Sequence, residues 1–139
     1  MATIERHVTK QIVALDGTTP CREAARLMRD KKIGAIAVQE GGRIVGIVTE
    51  RDMVARVMAA GDSGAMPIGE AMRTDLPRLP LSATESETSE AMRTQYTRHL
   101  LVEEEGQVVG IISMRDVIQL MLDDKQFLIE QLETYITGR

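Results

Sequence analysis

The chain has 139 residues, which is enough for one compact unit or two small halves. Its net charge of −4 and its 2% aromatic content argue against nucleic acid as the main partner, because a basic surface and stacking platforms are both lacking. The single cysteine, Cys21, excludes an internal disulfide and a cysteine-based zinc cluster. With no leader-like segment and no apolar run of about 18 residues, the sequence predicts a cytoplasmic protein without a membrane partner.

The first half predicts a strand, a helix, a two-stranded hairpin and a second helix, at residues 11–15, 20–30, 34–38 with 43–48, and 50–60. Thr19 as N-cap, followed by Pro20 as the first helical residue, is a strong start signal. Gly41-Gly42 suits the tight turn of the hairpin. Thr49 starts the second helix, and Gly61 is a good C-terminal glycine for it.

The second half repeats this order, with a helix at 82–95, hairpin strands at 99–102 and 107–113, and a helix at 114–124. A loop at 61–67 and a short helix at 68–75 precede it, and residues 125–136 continue it as an amphipathic helix. A shift of 64 residues aligns 20–58 with 84–122 without a gap, and GIVTERD (Gly46–Asp52) returns as GIISMRD (Gly110–Asp116). Duplication at one fixed period indicates two copies of one structural unit.

Each copy of about 60 residues would bury too little apolar surface to be stable by itself. The expected fold class is therefore α/β, with two β-α-β-β-α repeats related by a pseudo-two-fold axis and packed sheet to sheet into one disc-like module. The expected boundaries are repeat 1 at 8–62, a linker with a short helix at 63–75, repeat 2 at 76–124, and a C-terminal amphipathic helix or tail at 125–139.

The repeated phrase has two interpretations. In both copies a hydroxyl residue begins a helix and an aspartate follows three positions later, as Thr49 with Asp52 and as Ser113 with Asp116. This pattern is typical of a capping box, in which side chain and backbone satisfy each other at the helix start. It is also typical of a nucleotide site, where the helix start and the hydroxyl bind phosphate and the aspartate accepts hydrogen bonds from ribose hydroxyls.

The pattern resembles a tandem pair of cystathionine-β-synthase (CBS) domains, often called a Bateman module, of the stand-alone bacterial type. The stretches that carry the resemblance are KKIGAIAVQEGGRIVGIVTERD (Lys31–Asp52) and TRHLLVEEEGQVVGIISMRD (Thr97–Asp116), and it extends over about residues 8–122. It implies a non-catalytic module that binds and senses AMP, ADP, ATP or S-adenosylmethionine as a regulatory ligand, with no required cofactor and no metal. It also implies a homodimer, formed through the helix faces at 53–58 and 117–122, that acts through its assembly or on a regulated protein.

The resemblance also assigns the nucleotide-binding residues, which fall at matching places in the two copies. Asp52 and Asp116 would hold ribose hydroxyls, and Thr49 and Ser113 the ribose or phosphate. The backbone at Ile36-Ala37 and Leu100-Leu101 would line the adenine slot, and Arg98 and His99 would present basic groups to phosphate. The charge of Arg51 and Arg115, and not the resemblance, indicates that these two residues could also meet phosphate. The first copy has Gly34 and Ala35 in the place of Arg98 and His99, so the two clefts are expected to differ. Many family members have a second Ser or Thr where this chain has Arg51 and Arg115.

Other interpretations stay open beside this one. The protein would be a purely structural or interaction dimer if both phrases serve only as helix caps. An enzyme is disfavoured, because the sequence contains no Walker loop, nucleophile–base pair or metal-ligand cluster. His99 is either a phosphate donor or a half-buried strand residue. Cys21 lies in the first turn of a helix, where its thiolate is expected to be favoured.

Overall fold

The computed structural model describes residues 2–137, which fall into two units. One unit consists of residues 11–76, and the other joins residues 2–10 to residues 77–137. In chain order the elements are a 3-10 turn at Ile4–Arg6, β1 (Ala14–Asp16), α1 (Cys21–Lys31), β2 (Ala35–Glu40), β3 (Arg43–Thr49), α2 (Glu50–Asp52), a π-helix at Met53–Met58 that continues α2, α3 (Ile68–Ala71), α4 (Glu85–Gln95), β4 (His99–Glu104), β5 (Gln107–Ser113) and α5 (Met114–Thr137). None of the helices described for residues 2–137 is long and apolar enough to cross a lipid bilayer.

The unit at 11–76 is built on a three-stranded sheet in the order β1-β2-β3, in which β1 is parallel to β2 and β3 is antiparallel to it. Gly41 and Gly42 have φ angles of 57° and 77°, the left-handed conformation that a two-residue hairpin loop requires. Ala24 and Met28 on α1 belong to the same buried cluster as Val38 on β2. The predicted hairpin and the predicted apolar face of the first helix are confirmed.

The other unit is built on a two-stranded antiparallel sheet of β4 and β5. The strand that should precede α4 is reduced to one parallel bridge between Leu79 and Val102. This bridge corresponds to the pairing of β1 with β2 in the first unit, but Pro77 and Pro80 lie on either side of Leu79. Proline has no amide hydrogen to donate to a sheet ladder, which limits the strand to this contact.

Four helix predictions need correction. The helix expected at 68–75 ends at Ala71, and the helix expected at 82–95 begins at Glu85 with Thr84 as its N-cap. Pro20, not Thr19, is the N-cap of α1, because the Thr19 amide donates to the Asp16 carbonyl at 2.9 Å and closes a turn there. The helix expected at 50–60 is α-helical only at Glu50–Asp52 and continues as a π-helix at Met53–Met58.

The glycine that opens each repeated phrase lies where another segment crosses the hairpin. Arg73 exchanges two backbone hydrogen bonds, of 2.9 and 3.1 Å, with the residue after Gly46, and a Cβ on Gly46 would lie 2.8 Å from the Arg73 oxygen. Thr9 makes the same exchange, at 2.9 and 3.0 Å, with the residue after Gly110, and a Cβ there would lie 2.8 Å from the Thr9 oxygen. Close backbone approach therefore accounts for both glycines.

Helix α5 runs without a break from Met114 to Thr137, so the helices predicted at 114–124 and 125–136 form one element. The structure also divides the apolar residues of the two expected dimer faces. Val57 and Val117 are buried, and the exposed members are Val54, Met58, Ile118, Met121 and Leu122. The buried residues belong to the core, and the exposed ones remain available for contact with another molecule.

Candidate functional site

The junction between β3 and α2 forms the predicted capping box. The Thr49 hydroxyl oxygen accepts a hydrogen bond from the Asp52 amide at 3.3 Å. Oδ2 of Asp52 in turn accepts from the Thr49 amide at 2.9 Å and from the Thr49 hydroxyl at 3.0 Å. Both residues are buried. The capping interpretation of the first phrase is confirmed, and one carboxylate oxygen of Asp52 is committed to it.

The junction between β5 and α5 repeats this arrangement. The Ser113 hydroxyl oxygen accepts from the Asp116 amide at 3.1 Å. Oδ2 of Asp116 accepts from the Ser113 amide at 2.8 Å and from the Ser113 hydroxyl at 2.9 Å. Here, however, both residues are half-buried rather than buried. The second phrase is therefore also a helix cap, but one that solvent reaches.

The start of the second hairpin meets the same junction. The Arg98 carbonyl accepts from the Met114 amide at 2.8 Å, and His99 lies opposite Ser113 in the ladder. In the first unit the Gly34 carbonyl accepts from the first amide of α2 at 3.0 Å. The structure thus brings Arg98 and His99 next to the Ser113 cap, and their expected contact with phosphate stays a prediction. It also leaves fewer helix amides for an anion than the sequence suggested, since the first amide of each helix is already bonded.

The second carboxylate oxygen distinguishes the two aspartates. Oδ1 of Asp52 lies 3.9 Å from Nε of Arg56, one helical turn further on. Arg73 is also close to Asp52. Its side chain donates hydrogen bonds to Asp75 at 3.0 and 3.1 Å. These bonds raise the pKa of Arg73, and the charges of Asp75 and Asp52 raise it further. Neither arginine was in the predicted set. The spacing of Asp52 and Arg56 could have indicated that pair, whereas Arg73 is brought in only by its backbone bridge.

The surroundings of Asp116 carry no such cations at the corresponding positions. A shift of 64 residues places Leu120 where the first unit has Arg56. Thr9 takes the place of Arg73, because it forms the corresponding backbone bridge, with Ile111 instead of Ile47. Within the described residues, Oδ1 of Asp116 has no hydrogen-bond partner. Arg115, the neighbour of Asp116 on α5, is exposed, as is Arg51 on α2. Among the described residues, Oδ1 of Asp116 therefore has neither a hydrogen bond nor an ion pair, whereas Oδ1 of Asp52 has no hydrogen bond but faces Arg56 at 3.9 Å.

The four residues expected at the adenine slot lie near the start of the first strand of each hairpin and are at most 5% exposed: Ile36 and Ala37 on β2, and Leu100 and Leu101 on β4. Part of their backbone is already hydrogen-bonded within the sheets. The Ala37 amide donates to the Val13 carbonyl at 3.0 Å, and the Leu101 carbonyl accepts from the Leu79 amide at 3.0 Å. These two groups are therefore not open to a purine.

A groove of about 390 Å³ lies between α1 and the π-helix of the first unit, with Cys21 among its lining residues. Burial raises the pKa of the Cys21 thiol, and the charges of Asp62 and Glu70 raise it further. The expectation of a favoured thiolate is therefore wrong, because desolvation outweighs the effect of the helix start. Among residues 2–137, no group of three or more His, Cys, Asp or Glu residues is arranged to hold a metal ion.

Comparison with known proteins identifies the family. The family model for the CBS domain matches residues 4–59 and again residues 68–123. The chain therefore belongs to the CBS-domain family and contains two CBS domains in tandem, so the resemblance seen in the sequence is confirmed. The fold is likewise the mixed α/β fold of two CBS repeats.

Relatives match over most of their own length. The CBS domain-containing protein YhcV of Bacillus subtilis is 30% identical over 117 residues, which cover 84% of each chain. The structure of a protein with CBS domains from Burkholderia ambifaria has a TM-score of 0.83 at 28% identity, over 88% of this chain and 96% of that one. A CBS-domain protein from Agrobacterium tumefaciens has a TM-score of 0.80 at 30% identity, over 86% of this chain and 99% of that one.

Proposed function

We propose that this protein is a non-catalytic sensor that binds an adenosyl ligand, namely AMP, ADP, ATP or S-adenosylmethionine, and acts through a homodimer or a regulated partner protein. Membership of the CBS family supports this, because CBS pairs generally bind adenosine-containing ligands. The ligand would be regulatory, and the protein would need no other cofactor.

The observation that carries the proposal is the uncommitted Oδ1 of Asp116. A carboxylate offers about four acceptor positions, two on each oxygen. The Ser113 amide and hydroxyl occupy those on Oδ2, so Oδ1 retains enough for both hydroxyls of a ribose. The helix cap and a ribose contact are therefore compatible in one side chain.

The charges around the same junction favour an anionic ligand. Arg98, His99 and Arg115 flank the Ser113–Asp116 cap and would meet phosphate or carboxylate groups. In the first unit Arg56 already faces the corresponding oxygen of Asp52. We therefore expect one adenosyl ligand per chain, held by the second junction.

A pair of matched variants tests this. Asp116→Ala and Asp52→Ala each remove the carboxylate half of one capping box and leave the Ser113 or Thr49 cap itself, so both should lower the free energy of unfolding by about 1 kcal/mol. In the wild type, AMP, ADP, ATP or S-adenosylmethionine should raise the melting temperature, because a ligand that binds only the native state stabilises it. Asp116→Ala should abolish that rise while Asp52→Ala keeps it, and calorimetry should give a stoichiometry near one. The proposal fails if none of the four compounds shifts the wild type.

The second candidate function is a purely structural or interaction dimer. The two complete capping boxes favour it, because they give both phrases a task that needs no ligand. It predicts the same loss of stability in both variants and no response of any of the proteins to the four compounds. The melting-temperature panel therefore separates the two functions.

A further inference from the structure

In the last half of α5, residues 125–137, no side chain is buried against the rest of the described chain. The helix continues to Thr137, past the end of the second CBS match at residue 123. Every residue from Lys125 to Thr137 is exposed. Isolated helical segments shorter than about 12–15 residues are marginal in water, so a segment of this length gains stability from a partner.

The apolar residues of this helix repeat every seven positions. The a and d positions of the heptad are Ile118, Met121, Lys125, Leu128, Leu132 and Tyr135. The e positions are Leu122, Ile129 and Ile136. All but the lysine are apolar or aromatic, and these eight side chains are 44% to 85% exposed. We call the nine residues the α5 seam; such a stripe is typical of a helix that packs lengthwise on another helix.

We propose that the α5 seam packs antiparallel against the α5 seam of a second copy of this chain. The inference rests on the homodimer proposed above and names the surface that forms it. Eight largely exposed apolar side chains present on the order of 800 Å² per copy, which is what each partner of a standard interface buries. The seam is therefore large enough to hold two copies together by itself.

The charge of the helix argues for a second copy and against a lipid surface. Beyond Asp116 its only basic residue in the described chain is Lys125, against the acidic residues Asp123, Asp124, Glu130 and Glu133. Helices that lie on membranes carry basic residues on their polar face, because the cytoplasmic lipid surface is negative. An acidic helix with an apolar stripe would be repelled there.

The position of Lys125 sets the orientation. In a parallel pair, a positions face a positions, so Lys125 would lie against Lys125 of the second copy. In an antiparallel pair, a faces d, so Lys125 packs beside Leu128 of the second copy and Met121 beside Leu132. The lysine stem then covers apolar surface while its ammonium group reaches water. A single polar residue at an a position commonly specifies register in this way.

Sedimentation of the full chain tests the contact. The wild type should sediment as a dimer of the 15.4 kDa chain. Leu128→Asp with Leu132→Asp should raise the dimer dissociation constant at least 100-fold, whereas Gln126→Asp with Thr134→Asp, which adds the same charges outside the seam, should leave it within threefold. Lys125→Leu should lower it about tenfold, and this gain keeps the inference testable if the Asp variants fold poorly. A monomeric wild type, or a dimer that none of the seam changes affects, would overturn the inference.

Disulfide trapping tests the orientation. Met121→Cys and Leu132→Cys proteins should form a cross-link only when mixed, since the buried Cys21 does not compete. Cross-linking of either variant with itself would overturn the antiparallel arrangement. The melting-temperature response to the four adenosyl compounds is measured on the same proteins. If the wild type is monomeric but its melting temperature still rises with an adenosyl compound, only the seam proposal is contradicted. If the dimer depends on the seam but no compound shifts the melting temperature, only the proposed sensor function is contradicted.

Discussion

Replacing Gly46 by alanine should destabilise the protein severely, although the substitution is small. Glycine is required at this position because there is no room for a side chain, and not because the backbone has an unusual conformation. A Cβ would lie 2.8 Å from the Arg73 carbonyl oxygen and 2.8 Å from Sδ of Met72. Overpacking of this kind costs about 1–3 kcal/mol. The displaced segment would also strain two backbone hydrogen bonds of 2.9 and 3.1 Å, each worth about 1 kcal/mol. The expected loss is about 2–4 kcal/mol, or roughly 6–12 °C in melting temperature.

Urea unfolding followed by circular dichroism measures this loss, and the chain contains its own controls. Gly110→Ala should behave like Gly46→Ala, because its Cβ would meet the Thr9 carbonyl oxygen at 2.8 Å as well as the Val8 side chain. Gly17→Ala should cost less than about 1 kcal/mol, because its Cβ would meet only the flexible Glu40 side chain, with a nearest approach of 2.9 Å. If Gly46→Ala and Gly110→Ala unfold at the same urea concentration as Gly17→Ala, close backbone approach is not the reason for the repeated glycine.

Three further predictions concern single residues. Glu105 has a φ of 51° in the turn where the first unit has Gly41, so Glu105→Gly should raise the free energy of unfolding by about 0.5–1 kcal/mol; an unchanged urea midpoint would contradict this. Backbone hydrogen bonds from Met66 and Gly64 hold the pKa of Asp62 below 3.8. The contribution of Asp62 to the free energy of unfolding is therefore fully present above the pKa of the unfolded state. It is lost as the pH falls through the pKa of the folded state. Asp62→Asn should flatten the fall in melting temperature below about pH 4, and parallel curves for variant and wild type would refute it. Burial and a raised pKa should make Cys21 unreactive toward a thiol reagent at neutral pH until the protein unfolds; fast labelling of the native protein would argue otherwise.

The local elements could be predicted because each depends on residues close in sequence. Gly41-Gly42 between two apolar runs indicates a hairpin turn. The pattern [ST]-x-x-D after a strand indicates a capping box, which forms at both junctions. Features that depend on distant residues could not be read in this way. Nothing local in residues 2–10 indicates that Thr9 pairs with Ile111, or that the Ile4 amide bonds to the Ala83 carbonyl.

The two junctions differ in two pairs of residues. The sequence contrast of Arg98 and His99 with Gly34 and Ala35 predicts that the two clefts differ, and this stays a prediction. The larger physical difference lies at Oδ1 of the aspartates, where Arg56 approaches Asp52 at 3.9 Å and Leu120 takes the place of that arginine in the second unit. The repeat alignment shows leucine in place of arginine at this position. The consequence for Oδ1 follows only from the structure, in which each aspartate caps its helix through Oδ2.

The cap would also keep the proposed binding group, the carboxylate of Asp116, in place. A free aspartate side chain would lose rotamer freedom on binding a ribose, which reduces affinity. Because the Ser113 amide and hydroxyl already fix Oδ2 of Asp116, Oδ1 is oriented before any ligand arrives. Under the proposed function, the capping box would therefore not compete with ligand binding at the second junction but would preorganise it. At the first junction the same cap fixes Oδ2 of Asp52, and Oδ1 faces Arg56 at 3.9 Å.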